Sequence, residues 1–131
     1  MRVFFDHNLS PALARALREL FRPEHEVVAL REKFAPNISD VDWIDALNRE
    51  GRWVVVSADR RIRKNRAEYL AFRSSRLIGM FLSAGLAKAP VTKQAERLIV
   101  LWPSMERVAE TVGGGAMFEL PMKSVRLEQM S

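Results

Sequence analysis

The chain has no cysteine, only two histidines (His7 and His25), and no apolar run approaching the ~20 residues that span a bilayer. Each shortage removes a class of chemistry. Without cysteine there are no disulfides and no thiolate metal sites, a usage compatible with a reducing cytoplasm. Two isolated histidines do not suggest a histidine metal site. The six glycines form no phosphate-cradling loop and no dinucleotide fingerprint, and no Ser-His-Asp arrangement can be placed. No membrane-spanning helix is expected. Met1 to Asp6 passes directly into a structured pattern, so no secretory leader is expected and a cytoplasmic location is.

What is present suits one soluble domain over residues 1–131, 48% hydrophobic and 28% charged. A chain of this size buries roughly two-thirds of the surface its unfolded form exposes. The net charge is +5 and unevenly placed: residues 1–59 carry 8 basic and 10 acidic side chains, residues 60–131 carry 13 and 6. Such segregation is a footprint expected of contact with a polyanion.

Apolar runs and helical periods alternate along the chain. "RVFFD" (2–6), "HEVVAL" (25–30), "RWVVVSAD" (52–59) and "RLIGMFLS" (76–83) read as strands, and the third, apolar without alternation, as a central parallel strand covered on both faces. "SPALARALREL" reads as a helix capped by Ser10, with Leu13, Leu17 and Leu20 on its apolar stripe. "SDVDWIDALNREG" is a second helix between the Ser39 cap and the Gly51 stop, and Asn65 caps a third, "RAEYLAFRSS". "REKFAPNI" reads as a loop. "VTKQAERLIVLWPSMERVAETV" is helical with a kink or break expected at Pro103. "AMFELP" is a fifth or edge strand, and the tail after Pro121 carries no assignment. The expected fold class is α/β: a central, mostly parallel sheet of four to five strands with helices on both faces.

In such sheets ligands bind outside the carboxyl ends of the strands, where the connections reverse direction. Asp6 ends the first strand and Asp59 the third. In a 2-1-3-4 strand order the two carboxylates face each other across the crevice. Helical phase supplies a third: Asp40 lies one turn before the apolar face of Trp43, Ile44 and Leu47, whereas Asp42 and Asp45 fall on the opposite side. Asp40 is the third candidate ligand and Asp42 the reserve. Three carboxylates in one cleft raise one another's pKa values, and a divalent cation resolves that conflict. Mg²⁺ or Mn²⁺ takes oxygen ligands, polarises a phosphate and lowers the pKa of a bound water. Ser57, on the same side of the strand as Asp59, is placed to orient that water. Plainer readings stand beside these: an Asx turn for Asp6-His7-Asn8, a helix-terminus acid for Asp40, and a loop acid paired with Arg60 or Arg61 for Asp59. Five of the seven residues from Arg60 to Arg66 are basic.

"FFDHNLSPALARALREL", "SDVDWIDAL" and "VVVSADRRIRKN" together resemble the PIN-like domains of VapC-type toxins, in order and spacing over residues 1–82. The C-terminal helical region and tail, 83–131, lie outside the motifs. The resemblance implies a PIN-like fold, a Mg²⁺ or Mn²⁺ site and endoribonuclease activity held in check by a cognate antitoxin protein. It implies Asp6, Asp40 and Asp59 as catalytic, metal-holding acids, Asn8 as the polar residue after the first acid, and Arg60, Arg61 and Asn65 as part of a basic segment. One departure is plain: many PIN-like domains have a further acid two residues past the third, where this chain has Arg61. That leaves open one metal or two, and an alternative in which the module is catalytically silent and binds nucleic acid or a protein. A receiver-type phospho-acceptor domain is a more remote alternative, since the chain lacks a second acid beside Asp6. A homodimer is an open arrangement.

If Arg60, Arg61, Arg63 and Lys64 hold RNA phosphates, charge reversal at Arg61 and Arg63 weakens binding. It also flattens the slope of log affinity against log salt by ~0.7 for each single-strand phosphate no longer neutralised. Unchanged affinity and slope in filter-binding titrations would refute that role.

Overall fold

A computed structural model describes residues 1–130. Six strands form one sheet: β1 (Arg2–Phe5), β2 (Glu26–Ala29), β3 (Val54–Ser57), β4 (Ile78–Leu82), β5 (Met117–Leu120) and β6 (Glu128–Met130). Their order is β2-β1-β3-β4-β5-β6, parallel throughout except for the antiparallel β5–β6 pair. The register sets Val3 against Val54 and Val54 against Ile78, so β1, β3 and β4 end nearly level.

The apolar strands lack alternation because both faces are covered. Val3 and Phe5 of β1, with Val54 and Val56 of β3, pack under α1 (Pro11–Phe21), α5 (Ala84–Ala87) and α6 (Val91–Thr111). Phe4 and Val55 face the other way, beneath α2 (Leu30–Lys33), α3 (Asp40–Glu50) and α4 (Arg66–Arg73). Two cores therefore share one sheet. Trp43, Trp53 and Trp102 are core residues, each 2% exposed or less. Among the described residues no helix is long and apolar enough to cross a membrane.

The structure corrects four details of the sequence reading. The sheet has six strands rather than four or five, because the tail after Pro121 returns as edge strand β6; Arg97, itself buried, donates to the carbonyls of Pro121 and Ser124 and anchors that return. Helix α6 runs unbroken through Pro103. The proline lies on the exposed side, and Leu98, Leu101, Trp102 and Met105 seat both halves in one core. Leu20 is 60% exposed. The core position goes instead to Phe21, whose ring stacks on Trp102 with centroids 4.0 Å apart. Finally, Leu30–Lys33 form a helical turn where the sequence reads as the end of a strand and the start of a loop, held by the Glu32 carboxylate, which accepts from the Ala29 N–H at 2.8 Å.

Gly115 shows where backbone geometry leaves no choice. Its φ is +87°, and a Cβ there would lie 2.2 Å from the Arg73 carbonyl oxygen. Gly113 has open space around it. Gly115→Ala is therefore expected to destabilise the fold by about 3 kcal/mol or more, and Gly113→Ala to stay within ~0.5 kcal/mol, in urea unfolding curves.

Candidate functional site

β1 leads into α1 on one face of the sheet, while β3 leads through a 3-10 turn (Arg60–Arg63) into α4 on the other. The crevice at their carboxyl ends is thus the topological switch point. Asp6 follows β1 directly, and its backbone N–H donates to the Val56 carbonyl at 3.0 Å. Only 7% exposed, Asp6 has a carboxylate met on several sides. Oδ1 accepts the His7 backbone N–H at 2.7 Å and lies 2.9 Å from the His7 ring nitrogen Nδ1. Oδ2 accepts the Ser57 hydroxyl at 3.0 Å and the Asn8 amide at 3.3 Å. Asn8 also accepts the Ala58 N–H at 2.9 Å, tying the end of β1 to the end of β3. Asn8 and Ser57 both bond Asp6, and Ser57 also accepts the Asp59 backbone N–H at 3.0 Å.

Asp40 opens α3 behind the Ser39 cap. The indole N–H of Trp43, one turn on and buried, donates to Asp40 Oδ1 at 2.8 Å and turns the carboxylate over the sheet. Asp59 caps the 3-10 turn by accepting the Arg61 backbone N–H at 2.9 Å. Its two oxygens also receive the Arg61 guanidinium as a fork, Nε to Oδ1 at 2.9 Å and Nη2 to Oδ2 at 2.8 Å. Hydrogen bonding from that guanidinium, partly opposed by burial, holds the Asp59 carboxyl below its ordinary range.

Asp6, Asp40 and Asp59 line one small recess with Ser57. Its free volume is about 10 Å³, close to that of a single water-sized particle. Asp42 and Asp45 are exposed, and neither lines the recess. Asn65 serves as a helix cap, accepting the Glu68 backbone N–H at 3.0 Å.

Glu68 is the site residue that the sequence reading missed. Its carboxyl is pushed above the ordinary range, first by burial, then by repulsion from Asp40, Asp59 and Asp6 and by a hydrogen bond shared with Asp40. The signal was present. Glu68 stands one turn before buried Phe72 on α4, as Asp40 stands one turn before buried Ile44 on α3.

The carboxylate oxygens here are hard and anionic, the chemistry that suits Mg²⁺ or Mn²⁺. Burial first, and then repulsion from Asp40, Asp59 and Asp6, raises the Glu68 carboxyl, and the three carboxylates that line the recess are donors of a kind that fits a divalent cation. Yet among the described residues no three or more histidine or acidic side chains form a ready-made metal-holding group. The acids are engaged elsewhere: Asp6 by Ser57 and Asn8, Asp40 by Trp43, Asp59 by Arg61.

Beside the recess runs a groove of about 660 Å³ lined by Arg60, Arg61, Arg63, Lys64 and Lys88 with alanine between them. Arg60 also pairs with Glu119 of β5 at 3.0 Å. Lys88, which follows α5, is a second residue the sequence reading missed, since nothing in its own segment marks it. Arg61 belongs to both places, lining the groove and covering Asp59.

A family model described as a PIN like domain matches residues 1–84. Neither a curated protein nor a solved structure matches the chain.

Glu68→Gln tests the crowding of acids. A carboxyl whose folded pKa is raised penalises folding as pH climbs from its unfolded pKa through its folded one. The substitution is expected to raise Tm by a few degrees at neutral pH without metal, and the gain is expected to vanish at pH below both values, where Glu68 is protonated in either state. A pH-independent difference in thermal melts would contradict the repulsion.

Proposed function

Because the chain belongs to the PIN-like domain family, we propose that it is a divalent-cation-dependent endoribonuclease, the toxin of a toxin–antitoxin pair of the VapC type. The observation that carries this reading is the convergence of Asp6, Asp40 and Asp59 on one recess at the sheet's switch point, beside a groove lined by five cations. Asp6, Asp40 and Asp59 would hold Mg²⁺ or Mn²⁺, with Glu68 as the further acid in place of the one absent at Arg61. The chemistry such an ion supplies when bound is polarisation of a phosphoryl oxygen and a lowered pKa for water.

The chain's own residues do the rest. Arg60, Arg63, Lys64 and Lys88 hold backbone phosphates as charges along the groove, and Arg61 can meet one bidentately. No tryptophan is available as a stacking platform, because all three are core. Binding through phosphates alone reads little sequence, so any preference for a cleavage site would come from elsewhere in the substrate. Ser57 and Asn8 fix the rotamer of Asp6, and Trp43 fixes that of Asp40. Burial and the neighbouring acids hold the Glu68 carboxyl above the ordinary glutamate range. A cognate antitoxin protein would cover the groove or the recess.

The Arg61 fork on Asp59 favours a second reading, a module that binds nucleic acid without cutting it. Cleavage separates the two. Purified protein with Mn²⁺ is expected to cut RNA, Asp6→Asn to lose at least about 100-fold in rate, and exposed Asp45→Asn to match wild type. Induced in a bacterial host, wild type is expected to arrest growth and Asp6→Asn to spare it. Equal growth of both strains, or equal arrest without metal-dependent cleavage, contradicts the toxin reading.

A further inference from the structure

We propose that Arg61 is a positioning residue shared by two ligands, so that a divalent cation in the recess and a phosphodiester chain in the groove bind cooperatively by dividing the Asp59–Arg61 pair between them. This rests on the reading of the recess as a cation site and of the groove as a nucleic-acid site.

Asp59 has both oxygens committed to the Arg61 guanidinium, and Oδ1 accepts the Arg61 backbone N–H as well. A cation drawing on Asp59 must displace the fork. The Arg61 side chain is 85% exposed, so it has room to swing, and exposed pairs of this kind contribute little stability. The backbone N–H bond can remain while the side chain leaves. What happens to each half after separation decides the coupling.

A displaced guanidinium can turn to the groove it already lines with Arg60, Arg63, Lys64 and Lys88. Freed from Asp59 it adds an uncompensated positive charge to that row, which is unfavourable until a polyanion lies there. A phosphate in the groove offers the same planar fork a bidentate partner. Its departure then leaves Asp59 as an uncompensated charge beside Asp6, Asp40 and Glu68, which is unfavourable until a cation arrives. Each ligand therefore takes one half of the pair and exposes the half the other ligand needs. By linkage the effect is reciprocal and of equal size in both directions.

The test measures Mn²⁺ binding by electron paramagnetic resonance of free Mn²⁺, with and without a saturating 2′-O-methyl RNA oligonucleotide that cannot be cut. In wild type the oligonucleotide is expected to tighten Mn²⁺ binding at least about fivefold, and Mn²⁺ to tighten oligonucleotide binding by the same factor. Arg61→Ala is expected to bind Mn²⁺ more tightly than wild type without oligonucleotide and to lose most of the coupling. Lys88→Ala, which weakens oligonucleotide binding without touching the pair, is expected to keep it. Independent binding of the two ligands in wild type, or coupling undiminished in Arg61→Ala, overturns the exchange and leaves the nuclease reading standing. No Mn²⁺ binding by either protein overturns both.

Discussion

Repulsion among carboxyls at the ends of two neighbouring strands is the constraint on which the rest of this site depends. Asp6, Asp40 and Asp59 share a recess, and Glu68 is close enough for all three to raise its pKa. The fold holds them there with hydrogen bonds from Ser57, Asn8 and Trp43, each of which stabilises one carboxylate without removing the mutual repulsion. Exposed Arg61 supplies partial relief. Its bidentate grip holds the Asp59 carboxyl below the ordinary range, whereas burial and then the neighbouring acids push Glu68 above it.

The position of Arg61 also gives the missing acid of the basic run a physical meaning. Where many PIN-like domains have a further carboxylate, this chain has a counter-charge, and Glu68, seven residues later on α4, has a carboxyl that feels Asp6, Asp40 and Asp59 without lining their recess. The 3-10 turn between β3 and α4 sets this up, because it caps on Asp59 and sends the following cations along the groove.

Much of this was legible in the chain. The apolar runs at β1, β3 and β4 gave away doubly covered parallel strands, since only a sheet buried on both faces needs Val-Val-Val without alternation. Helical phase picked Asp40 over Asp42 and Asp45, and the latter two are exposed. Other features depended on tertiary contacts that local pattern does not encode. Edge strand β6 is polar and short, and it pairs because buried Arg97 of α6 collects the carbonyls before it. Pro103 looks like a break until the core that seats both halves of α6 is considered. Leu20 looks like core until Phe21 takes its place against Trp102. Glu68 was overlooked because its backbone N–H serves the Asn65 cap, a role that says nothing of the carboxyl's neighbours.

Whether these carboxyls hold a cation is decided by diffraction from crystals soaked in Mn²⁺, recorded at a wavelength where manganese scatters anomalously. The expected result is an anomalous peak bounded by Asp6, Asp40 and Asp59, with the Arg61 guanidinium withdrawn from Asp59. A recess without anomalous density at millimolar Mn²⁺, with the fork intact, would contradict it.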